Sequence, residues 1–167
     1  ERVTYLLNRH FTDMTDVVLE YEGTLVQFIG DAIMAFWGAP LDDDDQAYHA
    51  VAAAIAMQRR MNVIRADFAK EGLPPIRMRI GVHSGSAVVG NLGSAKRFGY
   101  TAVGDDVNTA ARLEGINKLY GTGIMVSGET ARRIEGRVAL RPVDRVIVKG
   151  KSQAIDVFTP CDDAIVV

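Results

Sequence analysis

The sequence has one cysteine, Cys161, so no disulfide can form within the chain and a disulfide-stapled secreted scaffold is excluded. That scarcity fits a reducing, cytoplasmic setting. Neither sign of charge dominates: 19 Lys and Arg against 21 Asp and Glu leave a formal net charge of −2. Such a balance gives no support to general nucleic-acid binding, and any anion site must be built locally. Long apolar runs are also missing. The longest apolar-rich segment, around Ala50 to Met57, is far too short to span a bilayer, and no cleavable signal pattern opens the chain. A soluble chain with no membrane contact of its own is the expectation. What is present forms a core: 48% of 167 residues are hydrophobic, which suits one domain. No internal repeat, linker or low-complexity tract interrupts it.

Val3, Leu6, Leu7, Phe11, Met14, Val18 and Tyr21 recur at three- and four-residue spacing and predict an amphipathic helix ending at Gly23. In "TLVQFIGDAIMAFWGAP", residues 24–40, two apolar runs meet at one Gly-Asp step, which predicts a β-hairpin with Gly30 and Asp31 in its turn. The segment 41–72 opens on the acidic run Asp42 to Asp45, continues Ala-rich and stops at Gly72, all helix signals. The acidic run reads as a solvated helix N-terminus. Residues 76–93 read as two strands bending near Ser84-Gly85, and 98–104 as a further short strand. A helix capped by Asp105 follows, with Val107, Ala110, Ala111 and Leu113 supplying apolar contacts. The strand "GIMVS", the short helix "GETARRIE" and a pair of strands around Gly150 complete the chain. Without strict βαβ alternation this mixture predicts an α+β sandwich, a mainly antiparallel sheet with helices packed on it.

A bare Gly-Asp step is more often a turn than a site. Here it has company: "FIGDAIMAFWGAP", "GVHSGSAVVGNLGS", "YTAVGDDVNTAARLEG" and "VKGKSQAIDVF" occur in this order. Together they closely resemble the class III nucleotidyl cyclase catalytic domain, over residue 1 to about residue 159. The resemblance implies a ferredoxin-like α+β core, and it implies that Asp31 is one of two aspartates holding two Mg2+ or Mn2+ ions. The second Asp belongs to an earlier strand, so residues 1–167 are expected to be a single cyclase catalytic domain lacking its N-terminal strand. The chain as given is then expected to be inactive.

Asn108 and Arg112, four positions apart on the helix that starts near Asp105, share one face. The resemblance implies that Asn108 positions the ribose and that Arg112 neutralises the α-phosphate. A guanidinium suits this because its planar fork makes two charge-assisted hydrogen bonds to phosphate oxygens. Lys149 is implied to reach the terminal phosphates, with Lys151 the weaker candidate. Gln27 and Thr101 fall at the base-reading positions. Gln27 departs from the pattern, which has Lys in adenylyl and Glu in guanylyl cyclases, and its amide can meet either purine. Thr101 matches the bacterial adenylyl type. The implied function is an adenylyl cyclase converting ATP to 3′,5′-cyclic AMP and pyrophosphate as a head-to-tail homodimer. A guanylyl cyclase using GTP and a non-catalytic regulatory cyclase-like domain are the alternatives.

Other residues carry less. His83 has no ligand partner at metal spacing and reads as a structural strand histidine. Trp37 reads as core or dimer surface. Arg97 and Lys96 sit in a loop, where a role at the dimer or phosphates and plain solvation are equally open. "GSAVVGNLG" lacks the Gly-Lys-Ser/Thr ending of a phosphate loop, and Cys161 lies in a terminal polar stretch, a poor place for a nucleophile.

Overall fold

The computed structural model describes residues 1–165. The chain forms two compact units, Glu1–Met78 and 79–167.

In the first unit, helix α1 (Arg2–Glu20) leads into the hairpin β1 (Thr24–Ile29) and β2 (Ala32–Phe36), followed by helix α2 (Gln46–Lys70). Met14, Val17 and Val18 of α1 and Val51, Met61, Ile64 and Phe68 of α2 are buried and form its apolar interior. Arg9 ties the two helices together: its Nε donates to Asp13 at 2.9 Å and its Nη2 donates to Asp67 at 3.3 Å. The predicted stop at Gly23 is a Schellman ending. Gly23 N–H donates to Val18 O at 2.8 Å and Glu22 N–H to Leu19 O at 3.1 Å, with Glu22 in the left-handed position at φ +64. The hairpin is anchored at both ends. Trp37 Nε1 donates to Tyr21 O at 2.8 Å, Thr24 Oγ1 donates to Ala39 O at 2.7 Å, and the rings of Phe11 and Phe28 stack at 4.2 Å. Trp37 therefore closes the base of the hairpin, where a Cβ on Gly23 would stand 2.7 Å from its indole.

The second unit holds β3 (Ile80–Val82), the hairpin β4 (Val88–Ser94) and β5 (Arg97–Val103), helix α3 (Asp105–Tyr120), β6 (Ile124–Ser127), helix α4 (Gly128–Arg133), β7 (Val138–Val146) and β8 (Ile155–Ile165). Its four-stranded sheet runs β3-β6-β8-β7, and β4-β5 is a separate ribbon. The α+β class is as expected. One pairing in the sheet, β3 with β6, is parallel, and β6–β8 and β7–β8 are antiparallel. A parallel neighbour needs a crossover, and α3 lies within it, so close to β3 that a Cβ on Gly81 would come 2.3 Å from Ala110 O. Leu113, Met125 and Val157 are fully buried at the centre of this unit.

Three local expectations shift. Residues 76–79 are not strand: the carbonyls of Ile76 and Met78 accept from the side chains of Arg65 and Gln58 on α2 instead of from a neighbouring strand. On α3 the buried positions are Thr109, Leu113 and Asn117, while Ala111 is exposed. Two of those three are polar because they bond backbone: Thr109 Oγ1 donates to Asp105 O at 3.1 Å and Asn117 Nδ2 to Ile80 O at 2.9 Å. The N-cap of α3 is Gly104, not Asp105, whose carboxylate is engaged elsewhere.

Candidate active site

The N-terminus of α3 gathers two loops. Asp106 Oδ1 lies 2.9 Å from His83 Nε2, and its Oδ2 accepts from Ser86 N–H at 2.9 Å. The Lys151 ammonium pairs with Asp105 and stands 3.7 Å from Asp106. Two acidic residues in the first turn thus pin residues 83–86 on one side and the turn 148–151 on the other. The hydrogen bond from His83 is the main reason the Asp106 carboxyl sits below the usual carboxylate range, helped by Ser86 N–H and the charge of Lys151. His83 also bonds Ser127 through Nδ1 at 2.7 Å, so both ring nitrogens are satisfied, as a structural histidine's are.

Two turns of α3 further on, Arg112 meets the turn 148–151. Lys151 N–H donates to Val148 O at 3.0 Å and Gly150 takes φ +85, the arrangement of a turn that needs glycine at its third position. The absence of a side chain there admits the guanidinium: a Cβ on Gly150 would lie 3.1 Å from Arg112 Nη1 and 3.2 Å from Nη2. Nη1 is buried and has no hydrogen-bond partner. A buried guanidinium nitrogen without an acceptor is costly, and an anion relieves that cost. The arginines that line the cleft beside His83 differ. Arg132 and Arg133 pair with Glu129, and Arg145 lies 3.9 Å from Asp156, so the cations along the roughly 610 Å³ cleft beside His83 already have carboxylates.

Of the residues singled out from sequence, the second unit holds Asn108, exposed one turn before Arg112; Lys149, exposed beside Gly150; and Thr101, half-buried on β5 opposite Gly90. The structure brings Arg112 to the Lys149–Lys151 turn. Lys151, ranked below Lys149 from sequence, is the lysine bound to α3.

The first unit holds Asp31 and Gln27 on one hairpin. Ile29 pairs with Ala32 across the turn and Gly30 takes φ +62, which leaves the Asp31 carboxylate exposed at the tip. An exposed carboxylate oxygen is a hard donor that suits Mg2+ or Mn2+. Among the described residues Asp31 belongs to no trio of His, Cys, Asp or Glu placed to share an ion. Its carboxylate could offer such an ion one ligand group. Gln27 is exposed opposite Met34, with Nε2 4.0 Å from its sulfur, a contact too long to fix the amide.

His10, missed in the sequence, lies near this carboxylate. It is buried on α1 with Nδ1 unpartnered; burial lowers its pKa, and the charges of Asp31 and Asp13 oppose that shift. The signal was available, because position 10 falls on the apolar stripe between Leu6 and Met14.

The sequence matches the adenylate and guanylate cyclase catalytic domain over residues 1–159. It is 40% identical over 158 residues to adenylate cyclase 1 of Rhizobium meliloti (strain 1021), covering 95% of this chain and 24% of that protein. It is 35% identical over 159 residues to the adenylate cyclase of Anabaena cylindrica, covering 91% of this chain and 31% of that one. The chain thus spans between 24% and 31% of the length of these relatives. Among solved structures, the adenylyl cyclase CyaB from P. aeruginosa superposes with a TM-score of 0.87 at 33% identity, over 98% of this chain and 82% of that one. The guanylyl cyclase Cya2 gives the same TM-score, 0.87, at 36% identity, over 95% and 79%. With the motifs around Asp31, Asn108 and Arg112 in place and the match running through residue 159, the chain belongs to the adenylate and guanylate cyclase catalytic domain family.

Proposed function

We propose that this protein is an adenylyl cyclase, converting ATP to 3′,5′-cyclic AMP and pyrophosphate at a site completed by a second copy of the chain. The observation that carries this reading is the Arg112 guanidinium, lodged against Gly150 with Nη1 buried and lacking an acceptor. In the reaction the ribose 3′-oxygen bonds to the α-phosphorus, the bond from that phosphorus to the bridging oxygen of the β-phosphate breaks, pyrophosphate leaves, and the hydroxyl proton is lost to solvent. Negative charge builds on the α-phosphate oxygens at that moment, and Arg112 is the group to offset it. Asn108 orients the ribose from one turn away, and Lys149 meets the terminal phosphates. Gln27 and Thr101 read the base. Asp31 is the residue of this chain that would hold Mg2+ or Mn2+, which supply a more acidic 3′-hydroxyl and charge neutralisation on the phosphates when bound. In this arrangement Asp31 serves the site of one copy, and Asn108 and Arg112 serve that of the other.

Two features support ATP as substrate: Thr101 at the base-reading position, and relatives named adenylate cyclases that share up to 40% identity. A guanylyl cyclase is the second reading, favoured by the likeness to Cya2 and by the absence of Lys at position 27. No helix of the described residues is long and apolar enough to cross a membrane. The test is Arg112→Ala beside Arg112→Lys in a chain extended to include the earlier strand expected to carry the second Asp, with ATP turnover measured: Ala is expected to lower it by on the order of 10²–10³, and Lys to restore only part. Turnover unchanged in Arg112→Ala would refute the reading.

A further inference from the structure

We propose that Glu22, Asp43 and His49 form a second divalent-cation site, one whose ligands exclude Asp31, selective for a borderline ion such as Zn2+. Each offers one ligand atom, and the three atoms lie within 4.8 Å of one another. Asp43 Oδ2 stands 2.7 Å from His49 Nδ1, and Glu22 Oε2 stands 3.8 Å from the same nitrogen. Ligands bonded tetrahedrally at about 2.0–2.2 Å sit roughly 3.3–3.6 Å apart. The Asp43–His49 edge must therefore open and the Glu22–His49 edge close, each by less than about 1 Å, while the Glu22–Asp43 edge lies within 4.8 Å.

The donor set chooses the ion. An imidazole nitrogen disfavours Mg2+ and Ca2+, which take oxygen ligands, and favours Zn2+ and its neighbours. The two carboxylates neutralise the charge, and the acidic run Asp42 to Asp45 adds a negative field that concentrates cations. The site is also partly oriented. Asp43 Oδ1 accepts the Asp45 N–H at 2.9 Å, which turns Oδ2 toward His49, the supporting role that outer hydrogen bonds play around metal ligands. Side-chain exposure is 14% for Asp43, 24% for His49 and 73% for Glu22, so two ligands are held in place and the third closes from solvent.

Its position gives the ion a task. Glu22 precedes β1, Asp43 lies between β2 and α2, and His49 is on the first turns of α2. An ion there joins the entry and exit of the hairpin that carries Gln27 and Asp31. The inference does not depend on the nucleotide reading, since it concerns binding of the metal alone.

The experiment is a calorimetric titration of the protein with Zn2+, repeated in Asp31→Asn, His49→Gln and Glu22→Gln, with Co2+ absorption in the visible reporting a nitrogen-containing, low-coordinate site. Far-UV circular dichroism checks each fold, and Glu22→Gln, at a largely exposed position, serves if His49→Gln fails to fold. Expected is one Zn2+ per chain that Asp31→Asn leaves in place and that His49→Gln and Glu22→Gln each weaken at least about tenfold. Equal affinity in parent and Glu22→Gln, Zn2+ binding lost only in Asp31→Asn, or no binding up to about 1 mM would each overturn the proposal.

Discussion

Arg112 and Gly150 fit one another: a Cβ at position 150 would stand 3.1 Å from Arg112 Nη1, and φ +85 disfavours any side chain there. Gly150→Ala should therefore displace the guanidinium as well as strain the turn. The backbone penalty alone is on the order of 1 kcal/mol. Gly136 provides the control, because it takes φ +77 with nothing within 4 Å of its Cβ position. Both Ala variants should lose similar thermal stability, while in the complete domain ATP turnover falls at least about tenfold only in Gly150→Ala. Equal turnover in the two variants would separate Gly150 from the site.

Asp106 makes the N-terminus of α3 acid-sensitive. Its carboxyl is held below the ordinary value by the hydrogen bond from His83 foremost, with Ser86 N–H and Lys151 adding to the effect. A depressed folded-state value means that the stabilisation is complete above the unfolded carboxylate value of about 3.9 and is lost as pH falls through the lower folded value. Urea midpoints followed down through this range should fall more steeply in the parent than in Asp106→Asn. Parallel curves would remove Asp106 from the acid transition.

His10 acts at higher pH. Burial lowers its pKa, so the folded state prefers the neutral ring and the unfolded chain binds the proton first. Its contribution is complete above the unfolded value of about 6.5 and declines as pH drops below it. Between about pH 7 and about pH 5 the parent should lose urea resistance that His10→Leu retains. A flat profile in the parent would contradict this.

Shared sites predict complementation. In the complete domain, an Asp31→Asn chain and an Arg112→Ala chain, each inactive alone, should recover part of the ATP turnover when mixed, because one site in the mixed dimer is intact. Mixed dimers that form without recovering activity would argue against a site built from two copies.

What was readable in the sequence was local. The Gly30-Asp31 turn, the helical spacing of Asn108 and Arg112, and the break at Gly150 between the last two strands all lie within a few residues of their partners. What was hidden was long-range: Lys151 rather than Lys149 bound to Asp105, His83 tied to Asp106 and Ser127, and the parallel pairing of β3 with β6. Periodicity reports which face of an element is apolar and not which element covers it. Thus the buried Thr109 and Asn117 escaped notice, their burial resting on backbone hydrogen bonds rather than hydrophobicity. Residues 76–79 read as strand for the same reason in reverse, since the carbonyls of Ile76 and Met78 are taken by side chains of α2.

The base is decided by one parallel measurement: turnover of ATP and of GTP with Mn2+ by the complete domain, including the earlier strand expected to carry the second Asp, with both cyclic products quantified, before and after Gln27→Lys. Gln27 is exposed and its amide is held only by a 4.0 Å contact with Met34, so it can present oxygen or nitrogen to a purine and avoid leaving a group unpaired, a loss of roughly 1–3 kcal/mol. Cyclic AMP as the main product with a detectable share of cyclic GMP, and a narrower preference for ATP in Gln27→Lys, is the predicted result; cyclic GMP as the sole product of the parent protein would contradict the adenylyl assignment.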